Sequence, residues 1–198
     1  MAETRKCGLG AFCFTALLAL AAVGVTGCSI IPPQAANMVP QQEQIVAPKA
    51  AAKTLRVVAM TVGSPGSTLA QAFAQEPLAQ TRITDAIFRD ALMNTLAVSG
   101  LFKRVSVEGN ADDEIDGTVY SQQMSTTGWG WVTATIGVRY KLIETASGTE
   151  VWRDSSVSQC DSSIGFKMGI AMQSEANECA MRKNLLHLVG QLAKIPHR

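Results

Sequence analysis

Val132-Thr133-Ala134-Thr135-Ile136-Gly137-Val138-Arg139-Tyr140-Lys141-Leu142 alternates without a break. Val132, Ala134, Ile136, Val138, Tyr140 and Leu142 fall on one side, and Thr133, Thr135, Gly137, Arg139 and Lys141 on the other. In an extended chain successive side chains point to opposite faces, so this is a strand with one apolar and one wet face, the habit of an antiparallel sheet. The flanking sequence continues the theme. Ile115, Gly117 and Val119 alternate with Asp116, Thr118 and Tyr120 in a strand running to about Met124. On the other side, Ser147-Gly148 makes a tight turn into a strand from Glu150 to about Cys160, which carries Val151, Trp152 and Val157.

Two further strands and two helices precede and follow this meander. Leu55-Arg56-Val57-Val58-Ala59-Met60 is a short run rich in β-branched residues, closed by Gly63, Pro65 and Gly66. A loop to about Gln80 follows, with a short helical piece near Leu69 to Ala74. Gly63-Ser64-Pro65-Gly66 lacks the lysine and second glycine spacing of a phosphate cradle and reads as a plain turn. From Thr81 to Val98, Ile83, Ile87, Ala91, Leu92, Leu96 and Val98 recur at helical spacing. Thr81 or Thr84 can cap this helix, and Gly100 can end it in a left-handed turn, with Leu101 and Phe102 folding back. Lys103 to Glu108 reads as a half-buried strand. The structure of Ile164 to Met172 is not legible, but a helix is expected from near Ser174, because Met181, Leu185, Leu188, Leu192 and Ile195 make one apolar stripe. Pro196 ends it. The order β-α-β-β-β-β-α predicts an α+β fold, a mostly antiparallel sheet of about five strands with both helices on one face.

Upstream of the domain lies a segment of a different kind. Arg5 and Lys6 precede an apolar run from Leu9 to Val25, which stops at Thr26-Gly27-Cys28. A charged head, an apolar middle and small residues at the cut are the layout of an export signal. Val25-Thr26-Gly27-Cys28 resembles the lipobox of bacterial lipoproteins. That resemblance implies a diacylglycerol on the Cys28 thiol, cleavage before it, and Cys28 as the mature N-terminus, held to a membrane by acyl chains. Two alternatives stand beside it. A spanning anchor needs roughly 20 apolar residues, and this run is shorter, interrupted by Gly10 and Gly24, and followed by Pro32-Pro33 without a basic cluster. A secreted protein would need a small-x-small cut site, for which Val25-Thr26-Gly27 is poor. The chain thus divides into a signal at 1–27, a tether at 28–53 and one domain at 54–195. The tether is rich in Pro, Gln and Ala, a composition that buries too little to offset chain entropy, and is expected to be disordered.

Seventeen Lys and Arg stand against 16 Asp and Glu. Removing residues 1–27, which hold Arg5, Lys6 and Glu3, leaves the two signs balanced. There is no basic field for nucleic acid, so no nucleic-acid partner is expected. Attachment to a membrane would come from acyl chains, more than one being needed.

Three stretches then acquire a common meaning. They are Ser99-Gly100-Leu101-Phe102-Lys103-Arg104-Val105, Asp112-Asp113-Glu114-Ile115-Asp116-Gly117-Thr118-Val119, and Tyr140-Lys141-Leu142-Ile143 continuing through Ser147-Gly148 to Val151-Trp152. In this order behind a lipobox they resemble the auxiliary lipoproteins of ABC-type transport systems. They are also similar to the domain shared by penicillin-binding-protein activator lipoproteins and the N-terminal part of the Tol-system β-propeller protein. The resemblance covers about Leu55 to Ser158. It implies a non-enzymatic accessory domain docking on an envelope machine, without a cofactor or catalytic residue. Ser29 after the cysteine implies the outer membrane, facing the periplasm.

The residues themselves offer little catalytic chemistry. His187 and His197 are the only histidines, and no nucleophile or metal motif accompanies them. Asp112-Asp113-Glu114 lacks the spaced ligands and glycine of a calcium loop and reads as a solvated strand entrance. An envelope hydrolase or transferase is the rival reading, and would need Asp116, Tyr120 and Arg139 to converge on the open sheet face. Cys160 and Cys179 are an even pair for an oxidising compartment, either bonded or buried as thiols. Gly128-Trp129-Gly130-Trp131 puts two indoles at a hairpin tip, where Trp129 and Trp131 either contact a partner or fold back over the sheet edge.

Overall fold

The computed structural model describes residues 32–45, 52–61, 82–126, 131–162 and 169–195. Cys28, Trp129, the 1–27 segment and the piece expected to be helical at 69–74 lie outside the described residues. In chain order the elements are α1 (Ala35–Met38), a 3-10 turn (Gln42–Gln44), β1 (Thr54–Thr61), α2 (Asp85–Ser99), β2 (Arg104–Ser106), β3 (Asp113–Thr126), β4 (Val132–Glu144), β5 (Thr149–Asp161) and α3 (Gly169–Leu192).

The architecture is α+β, and the five strands lie in the order β2-β1-β3-β4-β5. The meander β3-β4-β5 is antiparallel as its alternation requires, with Val119 opposite Val138 and Trp152 opposite Leu142. The sheet as a whole is mixed, because β1 runs parallel to both β2 and β3. The reason is topological: β1 and β2 are joined by a crossover through α2, and strands so joined run parallel. Nothing in the local sequence of 54–61 carries that information.

Both helices cover one face. Leu55 and Val57 of β1, Ile115 and Val119 of β3, and Val138 and Tyr140 of β4 are buried beneath them. α2 lies over β1 and β2, and α3 over β4 and β5. Thr84 caps α2, accepting from Ile87 N–H at 3.4 Å, and Gly100 closes it at φ 67 in the left-handed region that favours glycine. The buried side of α2 is Phe88, Ala91, Leu92, Thr95, Leu96 and Ser99. Val98, expected in the apolar stripe, sits on its flank and is 42% exposed. α3 begins at Gly169, a full turn before the expected start near Ser174, and buries Met181, Leu185, Leu188 and Leu192 as their spacing requires.

Two departures from the sequence expectation matter. First, β3 bulges at Tyr120: Val119 pairs with Val138 but Ser121 with Gly137, so both Tyr120 and Ser121 lie on the outer face. Beyond the bulge the parity flips. Gln122 then faces inward, where its amide accepts from Ile83 N–H at 3.0 Å and donates to Ile83 carbonyl at 2.9 Å. Second, residues 32–45, expected to be part of a disordered tether, are ordered and docked on the helix layer. Met38 is fully buried and Ile45 nearly so, and α1 packs against both α2 and α3. Composition misjudged the segment because two well-placed side chains outweigh its polar surroundings: burying one methionine contributes about 1.5–3 kcal/mol.

Candidate functional site: the docked N-terminal segment and the outer sheet face

The segment 34–45 is held by α3 through charge as well as through Met38. Glu178, itself buried, accepts Gln34 N–H on Oε1 at 2.7 Å and Asn37 Nδ2 on Oε2 at 2.9 Å. One helical turn later, Arg182 Nε donates to the Asn37 carbonyl at 2.8 Å. Glu178 and Arg182 are four residues apart and so share one face of α3. The carboxylate takes the Gln34 N–H at the start of α1 and the Asn37 side-chain amide, and the guanidinium takes the Asn37 carbonyl near its end. Sequence reading missed this site, although Glu178 and Arg182 at four-residue spacing beside a buried stripe were its visible signal.

The chain reaches this dock six residues after Cys28. Six extended residues span at most about 20 Å. Were the dock released, the 25 residues from Cys28 to Lys53, taken as coil, would span about 25–30 Å on average and on the order of 80 Å at full extension.

On the outer sheet face two of the three residues of the rival catalytic reading, Tyr120 and Arg139, are in contact, and Asp116 lies diagonal to Arg139, whose partner is Thr118. The Arg139 guanidinium stacks over the Tyr120 ring, 5.6 Å from its centroid. The ring in turn lies over Gly137, where a Cβ would come within 2.6 Å of it. Asp116 is four residues back along β3, about 13 Å at strand rise, opposite Lys141 and within 3.5 Å of the Thr118 hydroxyl that donates to it. Arg56 is paired with Glu114 on the same face.

A shallow depression of about 460 Å³ lies elsewhere, at the sheet end lined by Lys53, Asp112, Glu144 and Thr145. Its charges satisfy one another. Lys53 Nζ lies 3.0 Å from Asp113 and 3.8 Å from Glu144, and the hydrogen bond to Asp113 is the main cause that raises the ammonium pKa. Asp112 accepts the Thr54 backbone N–H at 2.7 Å and hydroxyl at 2.8 Å, which lowers its pKa. The acidic run is thus less solvated than expected: Asp112 is exposed, but Asp113 is buried against Lys53. Among the described residues no group of His, Cys, Asp and Glu is arranged to hold a metal ion.

The interface of α3 with β5 is polar. Tyr140 OH donates to Asn184 Oδ1 at 2.8 Å, and Asn184 Nδ2 donates to the Ser156 carbonyl at 3.2 Å. Burial, reinforced by the Asp154 charge, holds the phenol well above its usual pKa, so Tyr140 stays a donor. His187 pairs with Asp154 at 2.9 Å. Cys160 and Cys179 are bonded, with Cα atoms 5.8 Å apart, and tie β5 to α3. Trp131, at the foot of the β3–β4 hairpin, is 42% exposed. Trp152 and Phe102 are half-buried and pack on the core.

No protein-family model matches this sequence, and no curated protein matches it either. Among solved structures, a Xanthomonas campestris protein of the DUF330 family superposes with a TM-score of 0.60 at 18% identity, covering 82% of this chain and 93% of that one. A candidate lipoprotein from Caulobacter crescentus gives 0.45 at 12% identity over 70% and 87% of the two chains. A minor lipoprotein from Acinetobacter baumannii gives 0.40 at 10% identity over 73% and 93%. The Xanthomonas protein and this chain share a fold.

Proposed function

We propose that this protein is a lipid-anchored envelope lipoprotein, attached through Cys28, whose domain is a non-enzymatic docking subunit. The observation that carries the reading is the dock of residues 34–45, six residues beyond a lipobox-like cysteine. A free leash would let the domain roam, whereas this one holds it within about 20 Å of the anchoring point. A domain so placed presents the rest of its surface, Trp131 included, to partners at the membrane. Ser29 after the cysteine supports sorting to the outer membrane, facing the periplasm, as the lipoprotein resemblance implies. The machine served is one of lipid transport or peptidoglycan synthesis, as the sequence resemblance implies. Trp129 and Trp131 are the proposed contact with the envelope partner.

Against the rival reading of catalysis on the open sheet face stand the Arg139 guanidinium that covers Tyr120 and the four residues that separate Asp116 from Tyr120 along β3. Mild crosslinking in intact cells followed by purification of the full chain tests the docking role. One stoichiometric envelope protein that is lost in the Trp129→Ala/Trp131→Ala variant supports it. No stoichiometric partner, or one retained by that variant, contradicts the assignment of the indoles.

A further inference from the structure

The two edges of the sheet are unequal. β2 is three residues long, a short edge of the kind that resists further pairing. β5 is thirteen residues long and contains no proline. Its hydrogen-bonding pattern fixes which groups point outward. Ser162 N–H donates to the Val132 carbonyl at 2.8 Å, so the 132–162 pair is a bonded one. Antiparallel bonding alternates, so the even residues from 154 to 160 bond to β4 and the odd ones, 153 to 161, turn their N–H and C=O groups away from the sheet. The register shift at Leu142/Ile143 lies before this run and leaves it regular.

The side chains of those odd residues are Arg153, Ser155, Val157, Gln159 and Asp161, and all five are exposed. Val157, at 64%, is the most exposed of the large hydrophobic residues described. Laid antiparallel on a copy of itself about Val157, the row is complementary: serine faces glutamine next to the centre and arginine faces aspartate at the ends. If two copies pair antiparallel about Val157, Ser155 meets Gln159 and Arg153 meets Asp161 of the other copy, at both ends. A two-fold centred on Ser155 would instead set Arg153 against Val157. Only one of these registers matches charge with charge.

We propose that β5 is a self-pairing edge, through which two copies of this chain join their sheets about a two-fold axis at Val157. The outward Gln159 carbonyl already accepts from Lys183 Nζ at 3.0 Å, and its second lone pair remains for the Ser155 N–H of the other copy. Arg153, bound to Glu150 at 2.7 and 2.8 Å, would then lie between two carboxylates, its own Glu150 and the other copy's Asp161.

The test is disulfide trapping in intact cells with the full chain. Val157→Cys would bring two thiols together across the axis at the Cα spacing of a bonded pair, about 5.5 Å, inside the range of a disulfide. Val98→Cys, on the exposed flank of α2, is the control for random collision. The expected result is a species of twice the monomer mass on a non-reducing gel for Val157→Cys and little for Val98→Cys. Arg153→Asp in the Val157→Cys background should reduce trapping several-fold, and adding Asp161→Arg should restore it. Restoration also shows that the charge variants fold. Equal trapping at both cysteines, a trapped band of some other mass, or loss with Arg153→Asp that Asp161→Arg does not reverse would each overturn self-pairing in this register.

Discussion

Gly117 and Gly137 lie on opposite faces of the same sheet, and the surroundings decide what a side chain at each would do. A Cβ at Gly117 meets Phe88 Cζ at 3.0 Å and Leu92 Cδ2 at 3.1 Å, both fully buried on the underside of α2. These neighbours cannot withdraw without moving the helix. A Cβ at Gly137 meets the Tyr120 ring, closer still at 2.6 Å, but the ring sits on the outer face and can swing away. Gly117→Val should therefore destabilise by about 1–3 kcal/mol through overpacking, and Gly137→Val by clearly less, as chemical denaturation of the two variants would show. The reverse order would mean that Tyr120 is held more firmly than its stacking with Arg139 allows. At Asp112 the quantity to measure is a pKa. Its carboxylate is stabilised by the Thr54 N–H and hydroxyl, so its folded pKa lies below the ordinary 3.8. A depressed acid contributes stability above its unfolded pKa and loses it as pH falls through the folded value. NMR titration should find the Asp112 midpoint below 3.8 and moved upward in Thr54→Ala.

At the scale of elements, the N-terminal dock makes the sharpest prediction. Met38→Asp would bury a carboxylate in the apolar core that Met38 fills, and should release residues 34–45 while the sheet and both long helices persist. Hydrogen exchange of the amides in 34–45 should rise by orders of magnitude with those of β3 and β4 unchanged. A global loss of protection would show instead that the segment is part of the folding core. The elements that the sequence revealed are those with local causes. The alternation in β4, the cap at Thr84, the left-handed turn at Gly100 and the Leu185–Leu188–Leu192 stripe each act within a few residues, and each is where its local pattern requires. What stayed hidden depends on distant partners. β1 is parallel because of where α2 carries the chain, the inward turn of Gln122 follows from a bulge one step away whose partner is Gly137, and Met38 is buried because α2 and α3 leave room for it. Of the candidate site residues, the even count brought Cys160 and Cys179 forward as a pair, whereas the four-residue spacing of Glu178 and Arg182 placed them on one helix face without saying that they would capture the start of the chain.

For the whole molecule, the balance of charge and the dock lead to one picture. A nearly neutral domain gains nothing from headgroup electrostatics, so on the proposed reading its place at a membrane comes from the anchor at Cys28 and its orientation from the short span between anchor and dock. On the proposed reading the segment acts as a mount, because with Glu178 and Arg182 holding it the dock stands only six residues beyond Cys28. The mass of the N-terminal peptide from membrane-extracted protein tests the central claim most directly. The account predicts a chain that begins at Cys28, heavier by a diacylglycerol and further acyl groups, and a Cys28→Ser variant absent from the membrane fraction with its domain folded. A membrane-bound chain that retains residues 1–27 with an unmodified Cys28 would contradict it.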